Sequence, residues 1–160
     1  MPRIATIGVY RFNGESFVAA LDEAGVTVVV AVRQRRGVRG SEYAWANSQR
    51  LQRRLAAARI RYVHHPELAP TTELRELQYE QDARDHVGKR DRERLSDEYV
   101  RRYTAEILDH APLDGLLADL PVHGAGALLC VETDAVACHR SLIAQRLADR
   151  HGFEVEHLTP

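Results

Sequence analysis

The stretch Val26 to Val32 constrains this chain more than any other: every residue is apolar except Thr27 and β-branched except Ala31. Branching at Cβ favours the pleated conformation, and the run is too short for a typical helix. Because both alternating faces are apolar, neither can meet water, so the run reads as a central strand in a parallel sheet covered on both sides. The surrounding sequence agrees. Ile4 to Ile7 is a short apolar run ended by Gly8; Asn13 can cap a helix whose Phe17, Ala20, Leu21 and Ala24 fall at helical spacing before Gly25 stops it. The expected fold class is α/β, a single three-layer domain over residues 1–160 with a mostly parallel sheet flanked by helices.

Further along, Leu51, Leu55 and Ala58 mark a second helix and Ile60 to Val63 a third strand, followed by His64, His65 and Pro66. Proline at both ends predicts an extended path from Pro66 to Pro70. Thr72 to about His110 is highly charged with sparse apolar positions, which predicts two peripheral helices joined near His86 to Lys89. Gly124 and Gly126 lead into a fourth strand, Ala127 to Val131, broken by Glu132. A helix from about Ala135 to Arg150, closed by Gly152, precedes a last strand, Glu154 to Leu158.

A chain of 160 residues with 44% hydrophobic and 28% charged residues can build one core. It lacks the roughly 18 to 20 uninterrupted apolar residues of a bilayer span, and MPRIATIGVY is no signal peptide, so a cytoplasmic location without membrane partners is expected. Two cysteines, Cys130 and Cys138, are too few for a secreted disulfide scaffold and read as reduced thiols. The formal net charge of −1 conceals an asymmetry. Between Arg33 and Arg61 there are nine arginines and one acid, Glu42, giving that segment +8 and the remainder −9. A basic field of that density suits nucleotides or nucleic acid, with Arg35, Arg36 and Arg39 the candidate nucleic-acid contacts.

In an open parallel sheet the ligand crevice lies beyond the carboxyl ends of the strands. The residues expected there are Tyr10 and Arg11, Arg33 to Arg36, His64, His65 and Glu67, and Glu132. Cys130 and Glu132 lie two apart on the expected strand and so share a face. On the last helix, Val136, Ile143 and Leu147 define an inward stripe that His139 and Arg140 flank, while Cys138 is expected to point away. An inward arginine needs a partner, and Glu132 is the expected one for Arg140. Zinc is disfavoured by the spacing, since adjacent Cys138 and His139 would project about 100° apart on a helix. A nucleophilic Cys138 near a helix N-terminus is the thiol alternative. No glycine-rich dinucleotide or phosphate loop follows Gly8, which speaks against nicotinamide and P-loop chemistry; no cofactor and no metal is assigned in the leading reading.

Thr6-Ile7-Gly8, Val32-Arg33, Ile60 to His64 with Pro66 to Thr71, and Leu128-Leu129-Cys130 with Glu132 and Cys138-His139-Arg140 together resemble the domain-of-unknown-function 488 family. The resemblance spans nearly the whole chain and implies a small α/β domain with a polar pocket, without an established reaction. It assigns the family's polar motif positions to Arg33, Glu67, Glu132, Cys138, His139 and Arg140. Where such proteins usually carry aspartate before Val32-Arg33, this chain has Ala31, and its loop from Gln34 to Asn47 also departs from the family pattern.

The leading functional expectation is an enzyme acting on a nucleotide or nucleic acid, most concretely by hydrolysis of an N-glycosidic bond. Glu132, His64 and His139 are the expected catalytic groups; Arg33, Glu67 and Arg140 are expected to hold substrate, with Tyr10, Tyr43 or Trp45 stacking on a base. Two alternatives come from other classes: a non-catalytic nucleotide or nucleic-acid binding module, and a metal- or thiol-dependent enzyme using Cys138 and His139.

Overall fold

The computed structural model describes residues 2–88 and 91–160. Five parallel strands, β1 (Arg3–Ile7), β2 (Val26–Ala31), β3 (Arg61–His64), β4 (Ala125–Leu129) and β5 (Glu154–Leu158), form one sheet in the order β3-β2-β4-β1-β5. Helices α1 (Gly14–Glu23) and α2 (Ser48–Ala57) cover one face. There Phe17, Leu21, Leu51 and Leu55 pack with Ala5, Ile7, Val29 and Leu129. The other face carries α3 (Thr72–Arg84), α4 (Asp97–Tyr103, continued by a π turn over Thr104–Leu108), α5 (Leu113–Asp119) and α6 (His139–His151). Their Leu74, Tyr103, Leu116, Ile143 and Leu147 pack with Ile4, Val30 and Leu128. The three-layer α/β reading therefore holds, and Val26–Val32 is buried at its centre, with only Thr27 exposed.

Local chemistry sets several boundaries as expected. Asn13 and Ser16 form a reciprocal capping box on α1, and Gly152 ends α6 in the left-handed region at φ +69°, where a side chain would be strained. Other boundaries differ. Pro66–Leu68 is a 3-10 turn rather than extended, since proline fits the first turn of a helical segment as readily as a β path. Strand β4 begins and ends earlier than expected: Gly126 pairs with Ile4 within it, glycine being needed where Leu120 fills the space of a Cβ, and the strand stops where β1 stops.

The segment expected to be peripheral is not. Leu74, Gln78, Asp82, Tyr99 and Tyr103 from α3 and α4 are buried, and α5 was hidden within a short, weakly patterned stretch. Of the expected joint near His86 to Lys89, Lys89 lies outside the described residues. Helix α6 begins at His139, not Ala135; residues Ala135–Ala137 form a 3-10 turn, which leaves Val136 59% exposed instead of on an inward stripe.

The register matters for function. Ile7 and Ala31 both pair with Leu129, and His64 pairs with Ala31, so four strands end at one level. The chain runs from β1 to β3 across the α1/α2 face and returns to β4 and β5 across the other. Strand β4 therefore lies between neighbours whose following loops leave toward the opposite face, and such a switch point opens a crevice.

Candidate functional site

The crevice at the ends of β2 and β4 is a cleft with a cavity volume of about 60 Å³, room for a few ordered waters or a small anion. Its floor is Cys130, Glu132, Cys138 and His139; α3 and α4 contribute Gln78, Tyr79 and Tyr99; Arg33, Arg35 and Arg75 also line it.

Gly8 is what lets the floor form. A Cβ there would lie 1.8 Å from the Glu132 carbonyl oxygen, so only glycine allows the turn after β1 to pass against the turn after β4. Glu132, 7% exposed, accepts a hydrogen bond from the Cys130 thiol at 3.3 Å, and its other carboxylate oxygen lies 3.8 Å from Arg92 Nη1. The same guanidinium donates to Asp82 at 3.1 Å and to the Ala137 carbonyl at 3.1 Å. Asp82 in turn accepts from Gln78, whose own carbonyl receives the Ser96 amide. This buried chain ties α3, α4 and the turn before α6 to the floor. Its links are hydrogen bonds except the Arg92–Glu132 pair, an ion pair at 3.8 Å, and such pairing is the condition under which buried charge is tolerated.

Cys138 is the N-cap of α6, with extended backbone (φ −141°, ψ 147°). Because it precedes the helix, it escapes the helical spacing that would have turned it away from the floor, and it is buried at 2% exposure. Cys130, Cys138 and His139 each bring one donor atom within 4.8 Å of the others. His139 Nε2 lies 2.8 Å from the Val32 carbonyl oxygen, to which it can only donate, so in neutral imidazole Nδ1 is the acceptor; it faces Cys138 Sγ at 3.6 Å. Burial, with Cys138 beside it, pushes the Cys130 thiol up to about 11, against the opposing pull of His139. Burial pulls His139 down, but Cys130, the Val32 carbonyl and Glu132 outweigh it and leave its pKa raised. Burial likewise keeps the Tyr99 phenol protonated.

The expected site residues do not all meet. Glu132, His139, Arg33 and Arg35 come together at the cleft. His64 does not: its ring is bonded to the Arg33 carbonyl and braces the exit of β2. Glu67 bonds to His65, which also meets Asp119 at 2.6 Å. Tyr10, Tyr43 and Trp45 pack in the α1/α2 core, because the 3-10 turn Ser41–Ala46 turns the aromatics inward, Tyr43 onto Tyr10 and Trp45 onto Phe17. Arg36 faces the Tyr62 hydroxyl on that side, and Arg39 is on the outer surface. Ala31, in the place of the family's usual aspartate, lines a hollow of about 20 Å³ with Arg36 and Tyr62.

The expected Arg140–Glu132 pair does not form. Arg140 is fully buried and donates to the Thr133 carbonyl at 3.3 Å, while its Nε and Nη1 have no hydrogen-bond partner among the described residues. Arg92 takes its place because the long connection after α3 folds back over the cleft, a tertiary event without a local signal. Tyr79, Gln78 and Asp82 could have been noticed: with Arg75 they fall at helical spacing on one face of α3.

Fold and floor together define a doubly wound α/β protein with a thiol, imidazole and carboxylate cleft at its switch point. The chain belongs to the family described as Domain of unknown function DUF488, which matches residues 13–147 and so includes the whole floor. No curated protein and no solved structure matches it. Among the described residues, no helix is long and apolar enough to cross a membrane.

Proposed function

We propose that this protein is a hydrolase of a phosphate-bearing molecule of the nucleotide class, only part of which enters the cleft while the rest lies at its mouth, with Glu132 as its general base. The observation that carries the reading is the position of the Glu132 carboxylate: at the floor of a cleft, held between the Cys130 thiol and Arg92, with Arg33, Arg35 and Arg75 lining the same cleft. Guanidinium groups so placed suit a phosphate. Tyr79, 40% exposed where it lines the cleft, takes over the stacking role from Tyr43 and Trp45. In the reaction, water attacks the electrophilic carbon or phosphorus, Glu132 accepts the water proton, and the same carboxyl returns it to the leaving group. Hydrolysis of an N-glycosidic bond is the version that uses the base as leaving group.

A panel of nucleosides, nucleotides and short oligonucleotides, assayed for released base and phosphate, tests the reading. Glu132→Gln keeps the shape of the side chain and should lower turnover by about 10² to 10⁴. Turnover equal to the parent's removes Glu132 from the chemistry. Salt-sensitive binding of the panel with no turnover by either protein favours the non-catalytic binding module.

A further inference from the structure

We infer that Cys130, Cys138 and His139 bind a zinc ion whose fourth position opens to the cleft. Two thiolates and one imidazole are a donor set that suits this borderline-soft cation, and three protein ligands with one open position are the pattern of catalytic zinc. The three donor atoms already lie within 4.8 Å of one another, and all three residues are buried, at 3%, 2% and 4% exposure. The arrangement beyond the ligands matches as well. A histidine that ligates through one nitrogen is normally fixed by a hydrogen bond from the other to a carbonyl or carboxylate, and His139 Nε2 meets the Val32 carbonyl at 2.8 Å with Nδ1 turned toward the sulfurs.

The ligands are contributed by two structural elements, so their sequence spacing hides them. Cys130 follows β4, while Cys138 and His139 start α6, with the extended backbone of Cys138 letting neighbouring residues converge. Glu132 is not in the trio. It approaches Cys130 at 3.3 Å and Arg92 at 3.8 Å, and stands beside the ion as a proton acceptor. Binding converts two thiols and one aqua zinc ion into a dithiolate complex, with two protons released to solvent, so the site carries no net charge from metal and sulfur and its affinity falls as pH is lowered. The ion site stands on the ligand geometry alone; placing the attacking water at its fourth position rests on the hydrolase reading above.

The full chain, purified from zinc-supplemented cells and dialysed, should contain about one zinc per molecule by elemental analysis. Cobalt(II) added to the metal-stripped protein should give the intense visible bands of a tetrahedral site and a sulfur-to-metal charge-transfer band. Cys138→Ser and His139→Asn should each lower metal affinity at least tenfold, with folding checked by circular dichroism; Glu132→Gln, which alters a neighbour of Cys130 but removes no ligand, should still bind one zinc per molecule. Folded parent protein with only trace zinc and no cobalt bands overturns the site, as do bands that persist undiminished in folded Cys138→Ser. Stoichiometric zinc in a protein inactive on every substrate supports the site and overturns only the hydrolase reading. Full activity after complete removal of the metal overturns the placing of water on the ion and spares that reading.

Discussion

The two faces of the sheet bury different things. Under α1 and α2 the interior is apolar and aromatic, with Phe12, Phe17 and Trp45 in contact and Tyr10 against Tyr43, and the charges of that half, Arg35, Arg39, Arg50 and Arg53, remain at the surface. Beneath α3, α4 and α6 the core is equally closed, yet at the carboxyl edge of the sheet it gives way to buried Gln78, Asp82, Arg92, Glu132, His139 and Arg140. Unbalanced positive charge is concentrated in the first half of the sequence, from Arg33 to Arg61, but charge is withdrawn from water in the second. A surface guanidinium costs little and is screened; a buried one requires a specific partner and so reports the geometry around it.

The strongest way to break this contrast is to remove Arg92. Arg92→Met leaves Asp82 buried without its cation and takes a positive charge from beside Glu132. Losing one member of a buried pair costs about 3–5 kcal/mol, so urea unfolding should show a loss of that size, partly recovered in the double variant with Asp82→Asn. A loss under about 1 kcal/mol would mean that the pair is solvated, and that the two faces do not differ as described. The next effect is steric. Gly8→Ala forces a Cβ against the Glu132 carbonyl and should cost about 1–3 kcal/mol, with turnover falling as well because the floor must move. Unfolding curves of parent and variant that overlay would show that the two turns can part freely.

The contrast also explains what the sequence could and could not reveal. Val26–Val32 announced the sheet because a doubly apolar β-branched run has few physical solutions, and Asn13 and Gly152 marked helix ends through backbone chemistry local to them. Glu132 and His139 were legible as residues at a strand exit and a helix start. Arg92 and Tyr99 were not, since their places depend on how a charged, weakly patterned segment folds back over the cleft. The spacing of Cys138 and His139 speaks against a shared ion only if both are helical; α6 begins at His139 rather than Ala135, which leaves Cys138 extended and facing the floor. Tyr43 and Trp45 misled in the opposite sense, because aromatics beside arginines suggest a stacking surface while a 3-10 turn suffices to bury them.

A smaller effect separates the cleft from the far end of the α3–α6 layer. His65 bridges Glu67 and Asp119, joining the turn after β3 to the end of α5. Burial alone would lower its pKa, but hydrogen bonds and charges from both carboxylates leave it raised above 6.5. A raised folded value means that protonation favours the folded state. The stabilisation is complete below the unfolded value of about 6.5 and is lost as pH rises through the folded value. For a partly exposed pair its size is about 0.5–1 kcal/mol. The melting temperature of the parent minus that of His65→Gln should thus be larger at pH 5.5 than at pH 9, and a difference that grows with pH would overturn the assignment.

The smallest expected change in stability is also the sharpest test of which arginines belong to the site. Arg35 lines the cleft, and Arg39, four residues on in the same basic segment, lies outside it. Both side chains are exposed, so replacing either by alanine should move unfolding free energy by less than about 0.5 kcal/mol. Substrate affinity should separate them. On the hydrolase reading proposed above, Arg35→Ala removes a cation from the cleft lining and should raise KM about three- to tenfold, with the salt dependence of binding reduced, whereas Arg39→Ala should leave KM within about a factor of two. Equal losses from both variants would indicate that the basic segment acts as a diffuse field over the first half of the molecule, and the cleft would lose its claim to the phosphate.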